Sequence, residues 1–97
     1  MHNFHLSRIA IRKGHHGIGD QATIQGEIRN MSTRQYNAVA IRAVLSQGTR
    51  LLTNVVFTVY GVSGGETKFF VKSLEDLDYE KTINAETTCY CQVESAF

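Results

Sequence analysis

The chain contains no proline, and no stretch of it carries a helical repeat. Without apolar residues recurring every 3.6 positions no amphipathic helix can be placed, which excludes the helix-bundle classes. Long apolar runs are also missing: no segment approaches the ~20 residues that a membrane-spanning helix needs. The N-terminus lacks the basic, apolar and small-residue succession of a secretory signal. Neither charge sign dominates. The formal net charge is +1, so no overall field favours nucleic acid or direct insertion into an anionic membrane surface. Histidine is absent after position 16 and cysteine is confined to two residues. No internal repeat or low-complexity segment is visible.

What remains is alternation. In QATIQGEIRN, residues 21–30, Ala22, Ile24, Gly26 and Ile28 alternate with Thr23, Gln25, Glu27 and Arg29. This period of two marks a strand with one dry and one wet face. Residues 4–12 read as a preceding strand with a fault: Phe4 and Leu6 share one parity, Ile9 and Ile11 the other. One extra residue flips every side chain beyond it, so a β-bulge near Ser7 and Arg8 would restore a single apolar face. Further strands are expected over 36–46, 51–60 and 66–72, with a hairpin turn at Gln47-Gly48-Thr49 and another turn at 62–65. Residues 73–82 are acidic and polar, and read as a loop with room for one helical turn. The chain closes with residues 83–97, whose most regular strand covers 87–93.

Short strands at regular spacing, separated by glycine and polar turns, predict an all-β fold. The expected form is an antiparallel immunoglobulin-like β-sandwich of six to seven strands, with a small closed barrel as the rival. Ile24, Ile28, Val39, Ile41, Leu45, Phe70, Cys91 and Val93 are the expected core. The 97 residues suffice for a single domain (1–97) without staples, which matter mainly below ~40 residues. Stopping at Phe97, within what reads as a strand, suggests a fragment of a longer protein.

Cys89 and Cys91 stand at i and i+2 in TTCYCQVE. On a strand they share a face with Cα atoms ~6.5–7 Å apart, at the upper end of what a disulfide spans. The expectation is two free, buried thiols acting as small hydrophobes. A C-x-C spacing without a second pair fits none of the usual zinc frameworks, which leaves a metal or redox pair as the alternative.

The succession GEIRN (26–30), YNAVAIRAVLSQGTRLL (36–52) and GGETKFFV (64–71) resembles the FxLYD-type domains, immunoglobulin-like β-sandwich modules of bacteria and archaea. Gly26, Asn30, Gly48, Gly65, Glu66, Thr67 and Phe70 fall where that pattern wants them. The terminal YCQVESA resembles the family's last strand. The name-giving stretch falls on Ala43-Val44-Leu45-Ser46-Gln47, where only the leucine matches. The resemblance, spanning about residues 20–97 by eye, implies an extracytoplasmic module of the periplasm or cell envelope with no catalytic residues and no cofactor. Its partners would be another protein or other domains of a parent chain.

The same residues have physical uses. Gly26 sits inward, where a side chain would obstruct close packing. Asn30 ends a strand before a turn, where its amide can bond the backbone. Gly65 suits a turn with positive φ. Phe70 is expected as a core plug, which sends Phe69 outward.

Motifs that could carry chemistry are few. Residues 61–65, GVSGG, match G-x-S-x-G, yet no histidine follows Ser63 and a strand, not a helix, is expected after it. Residues 17–22 match G-x-G-x-x-A, again before a strand, so no helix N-terminus would meet a phosphate. The glycine-rich loop 13–20, KGHHGIGD, is the alternative functional site: a small ligand- or metal-binding loop using His15, His16 and Asp20. Adjacent histidines on extended chain point apart, and a loop rich in glycine anchors them poorly. Glu75, Asp76, Asp78 and Glu80 are acidic but lack the EF-hand spacing, and a solvated loop is expected. Arg8, Arg12, Lys13, Arg29, Arg34, Arg42 and Arg50 are spread over five segments, and cross-strand ion pairs are their expected use. Tyr36, Tyr60 and Tyr90 are candidates for the exposed faces, but sit in no nucleic-acid module motif. Asn30-Met31-Ser32 matches a glycosylation sequon, for which the turn role is preferred.

Overall fold

The computed structural model describes residues 3–14 and 20–97. Six strands, β1 (Phe4–Lys13), β2 (Gln21–Asn30), β3 (Tyr36–Gln47), β4 (Arg50–Val62), β5 (Thr67–Asp78) and β6 (Thr87–Ala96), form two three-stranded sheets. Their orders are β1-β2-β5 and β4-β3-β6, and every pairing is antiparallel. The chain crosses from one sheet to the other after β2, after β4 and after β5. The sheets pack face to face as a β-sandwich; the closed barrel is not formed.

The core lies between the inner faces. Ile24, Ile28, Val39, Ile41, Leu45 and Phe70 are buried as expected, joined by Ala22, Ala43, Val59, Val62 and Leu74. Cys91 and Val93 are only partly buried, because β6 is an edge strand and its inner face is half covered. Rings lock the two sheets together. Phe57 of β4 meets Phe70 of β5 with centroids 5.5 Å apart, and Phe4 of β1 meets Tyr36 of β3 at 5.0 Å. Tyr36 therefore belongs to the core, 4% exposed, and not to an outer face. Arg34 lies over the same ring, with the guanidinium carbon 5.2 Å from the ring centre.

The fault in β1 is a bulge. Ser7 pairs with Glu27 and Ala10 with Gln25, so Arg8 and Ile9 together oppose Gly26. Arg8 takes a φ of 55°, the turn needed to insert one residue. Phe4, Leu6, Ile9 and Ile11 consequently all pack on the core. Gly26 faces the space they create, and Phe70 is its partner on the opposite strand.

The structure corrects the reading of residues 73–82. β5 continues to Asp78, and only Tyr79–Thr82 forms the short helix α1. The pairing of β5 with β2 runs to Leu74 opposite Ala22 and resumes at Asp78 opposite Gln21, with the intervening residues bulged out. Leu74 is buried and Leu77 packs against the core, so two apolar residues hold an otherwise polar stretch in the sheet. Asp78 caps α1, accepting a 2.9 Å hydrogen bond from the Lys81 backbone N–H.

Candidate functional site

The residues singled out in the sequence are mostly consumed by structure. Asn30 is fully buried. Its Nδ2 donates to the carbonyls of Arg34 (2.6 Å) and Val62 (3.4 Å), while its Oδ1 accepts from the Ser32 N–H and hydroxyl at 3.0 and 2.7 Å. One amide thus ties the 31–35 loop to the end of β4. With its side chain sealed in this way, the Asn30 sequon presents no accessible acceptor in the folded chain. Gly65 has a φ of 77°, as its turn requires, and donates from its backbone N–H to the Asn30 carbonyl at 2.9 Å. Phe70 fills the core against Phe57, and its neighbour Phe69 points outward.

The G-x-S-x-G run lies in the β4–β5 turn. The Ser63 N–H donates to Glu66 Oε1 at 2.9 Å, the Glu66 N–H returns to the Ser63 carbonyl at 3.1 Å, and strand β5 comes directly after. The strand-to-helix geometry of a nucleophile elbow is not formed. Gly17–Gly19 of the G-x-G-x-x-A run lie outside the described residues, and the next element of the chain is strand β2.

His15 and His16 also lie outside the described residues. Asp20, the third member of that candidate, has its carboxylate 3.1 Å from Lys13 Nζ. Lys13 is shared with Glu80 at 3.0 Å, and the hydrogen bonds it donates to Glu80 and then Asp20 hold its ammonium above the ordinary lysine range. A metal ion at Asp20 would have to compete with this cation. The acidic cluster is dispersed: Asp78 caps α1, Glu80 pairs with Lys13, and Glu75 and Asp76 are exposed on the bulged part of β5. Among the described residues no three His, Cys, Asp or Glu side chains come together as a metal site.

Two of the arginines, Arg8 and Arg42, make the expected cross-strand pairs. Arg8 on β1 lies 3.6 Å from Glu27 on β2. Arg42, central on β3, reaches Glu94 on β6 and donates to Asn54 Oδ1 on β4 at 2.6 Å, spanning its whole sheet. The Arg42 hydrogen bond holds the Glu94 carboxyl below the usual carboxylate range.

Two features stand apart from this structural use. The first is on the outer face of the β1-β2-β5 sheet, where Phe69 is 61% and Val71 52% exposed. They are alternate residues of edge strand β5, opposite Glu27 and Gln25 of β2. Beside Val71 runs a groove of about 320 Å³ lined by Lys13, Gln21, Thr23, Gln25 and Ser73. An exposed phenylalanine and valine, rimmed by polar groups, is the arrangement of a contact surface. Phe69 was legible as outward from its parity with Phe70; the groove was not, because it is made by three strands and a loop end.

The second feature is the cysteine pair. Cys89 and Cys91 are free and half-buried, with their sulfurs 3.9 Å apart. Cys89 keeps its proton, raised by its hydrogen bond to Cys91 and by burial, and that bond in turn draws Cys91 below the usual thiol range. The sequence placed both on one face; their incomplete burial results from the edge position of β6.

No family model matches this chain and no curated protein proves similar to it.

Proposed function

We propose that this chain is a non-catalytic β-sandwich module of the immunoglobulin-like, FxLYD-type kind, acting as a protein-interaction or spacer domain of an extracytoplasmic, cell-envelope protein. The observation that carries the interaction role is the exposed pair Phe69 and Val71 on edge strand β5, beside a polar groove. Large apolar side chains held outward on a rigid sheet offer desolvation to a partner at little conformational cost. The FxLYD likeness is supported by the use of its pattern residues: Gly26 under Phe70, Asn30 as a buried clamp and Gly65 in its turn are all structural. A family defined by such positions would share a scaffold and no active site.

Site-specific photocrosslinking tests the role. A benzophenone side chain at position 69, in cells that express the parent protein, should give a discrete adduct with another protein or another domain. The same group at position 75, also exposed on β5, should not. Equal labelling from both positions, or none from position 69, would remove the surface from consideration.

A further inference from the structure

We propose that Cys89 and Cys91 form a bidentate dithiol site for a soft, low-coordinate thiophilic ion, such as monovalent copper or a trivalent arsenical, at the open seam between β1 and β6. The two thiols share the inner face of β6, neither is in a disulfide, and their sulfurs are 3.9 Å apart. With metal–sulfur bonds of about 2.3 Å, that separation subtends about 116° at a bound ion, between the tetrahedral and trigonal angles. Chelation therefore needs almost no movement. Oxidation needs much more, since a disulfide would draw the sulfurs to about 2.05 Å. β6 is held by β3 at both positions, Cys89 opposite Leu45 and Cys91 opposite Ala43, which resists that closure.

The surroundings select the kind of ion. A cleft of about 300 Å³ opens on Cys89, walled by Ile9, Ile11, Tyr79 and Ile83 together with the polar Asn84 and Thr87. No carboxylate lines it, so hard cations such as calcium and magnesium lack the anionic oxygens that hold them. Thiolate sulfur suits soft ions instead. Among the described residues no third His, Cys, Asp or Glu joins the pair, which favours ions content with few protein ligands. The half-burial of both thiols leaves room for an exchangeable group from solution.

Phenylarsine oxide is the direct probe. Its arsenic–oxygen bond is replaced by two arsenic–sulfur bonds, the two thiol protons leave with the oxygen as water, and arsenic stays trivalent. The reduced chain should take up one phenylarsine per molecule by native mass spectrometry, lose one water and show no thiol open to alkylation. Cys89→Ser and Cys91→Ser, each checked for native circular dichroism, should bind at least a hundredfold more weakly. The folded chain should also bind at least tenfold more tightly than the chain in urea, a comparison that needs no mutation. A second arm presents copper(I) as its bicinchoninate complex, with transfer of one ion per chain expected and none after carbamidomethylation. Two arsenicals per chain, retention by either single variant, or equal affinity folded and unfolded would overturn the site.

Discussion

Phe70 occupies the space that a side chain at Gly26 would need: a Cβ built on Gly26 lies 2.6 Å from Phe70 Cζ and 2.5 Å from Ile9 Cδ1. The contact joins all three strands of one sheet, because the bulge at Arg8 brings Ile9 over the same glycine. Phe70→Ala should destabilise the fold by ~3–5 kcal/mol, the usual cost of emptying a buried aromatic site. Gly26→Val should cost ~1–3 kcal/mol through overpacking. The combination should cost less than the sum, since removing the ring makes room for the valine. Urea denaturation of the two single variants and the double variant measures this. Strict additivity would show that ring and glycine do not compete for one space.

Asn30→Ala should destabilise by ~1–3 kcal/mol, because it strips a donor from the buried Val62 carbonyl at the β4 end and from the Arg34 carbonyl in the 31–35 loop. Asn30→Asp should fare no better, for a carboxylate cannot donate to the Arg34 and Val62 carbonyls. An aspartate variant as stable as the parent would place the amide's role elsewhere.

The thiols should titrate far apart. Ultraviolet absorbance of thiolate should rise at a pH below the ordinary thiol value for Cys91, while Cys89 stays protonated through that range. Iodoacetamide at neutral pH should therefore modify position 91 first, as peptide mapping would show. Cys89→Ala removes the donor and should slow that reaction by returning Cys91 toward its usual value. Equal modification of both sites would dissolve the donor–acceptor assignment.

Acid should weaken the β3–β6 seam. The Glu94 carboxyl has a lowered pKa in the folded chain, so its contribution is present above the unfolded value of 4.5 and is lost as pH falls through the folded value. Glu94→Gln should flatten the fall in melting temperature between pH 5 and pH 3 (an interval of about two units, in which exposed carboxyls titrate). An unchanged slope would assign the acid sensitivity to other carboxylates. The pair is exposed, so the difference should shrink in molar salt.

Stoichiometric zinc or nickel should leave the melting temperature unchanged. Asp20, one of three candidate ligands with His15 and His16, is already engaged by Lys13. An ion bound only by the native chain would stabilise it in proportion to occupancy. A rise of many degrees, lost in the His15→Ala/His16→Ala double variant, would establish the 13–20 loop as a metal site.

The fold was legible where alternation is clean. β2 and β3 bury every second residue, and even the break at Ser7 and Arg8 could be read, because apolar residues on both sides changed parity together. The far half of β5 was not legible: Ser73, Glu75 and Asp76 mask a strand anchored only by Leu74 and Leu77, and a bulge between those two leaves no period to detect. Tyr36 was misplaced for a related reason. It begins β3 just after a polar loop, and only the tertiary contact with Phe4 shows that it turns inward. The groove beside Val71 and the cleft beside Cys89 depend on how separate strands meet, which no local pattern encodes.

The placement of β3 between β4 and β6 has a kinetic consequence. Its first neighbour arrives through a tight turn, but its second lies 48 residues further along the chain where Ala43 faces Cys91. During synthesis β1, β2 and the β3–β4 hairpin emerge early, yet neither three-stranded sheet can close before its last strand appears. Closing loops of this length is slow compared with hairpin formation. The nascent chain therefore carries an unpaired β3 edge until residues 87–96 have cleared the ribosome, and that sheet closes only when its last strand has emerged.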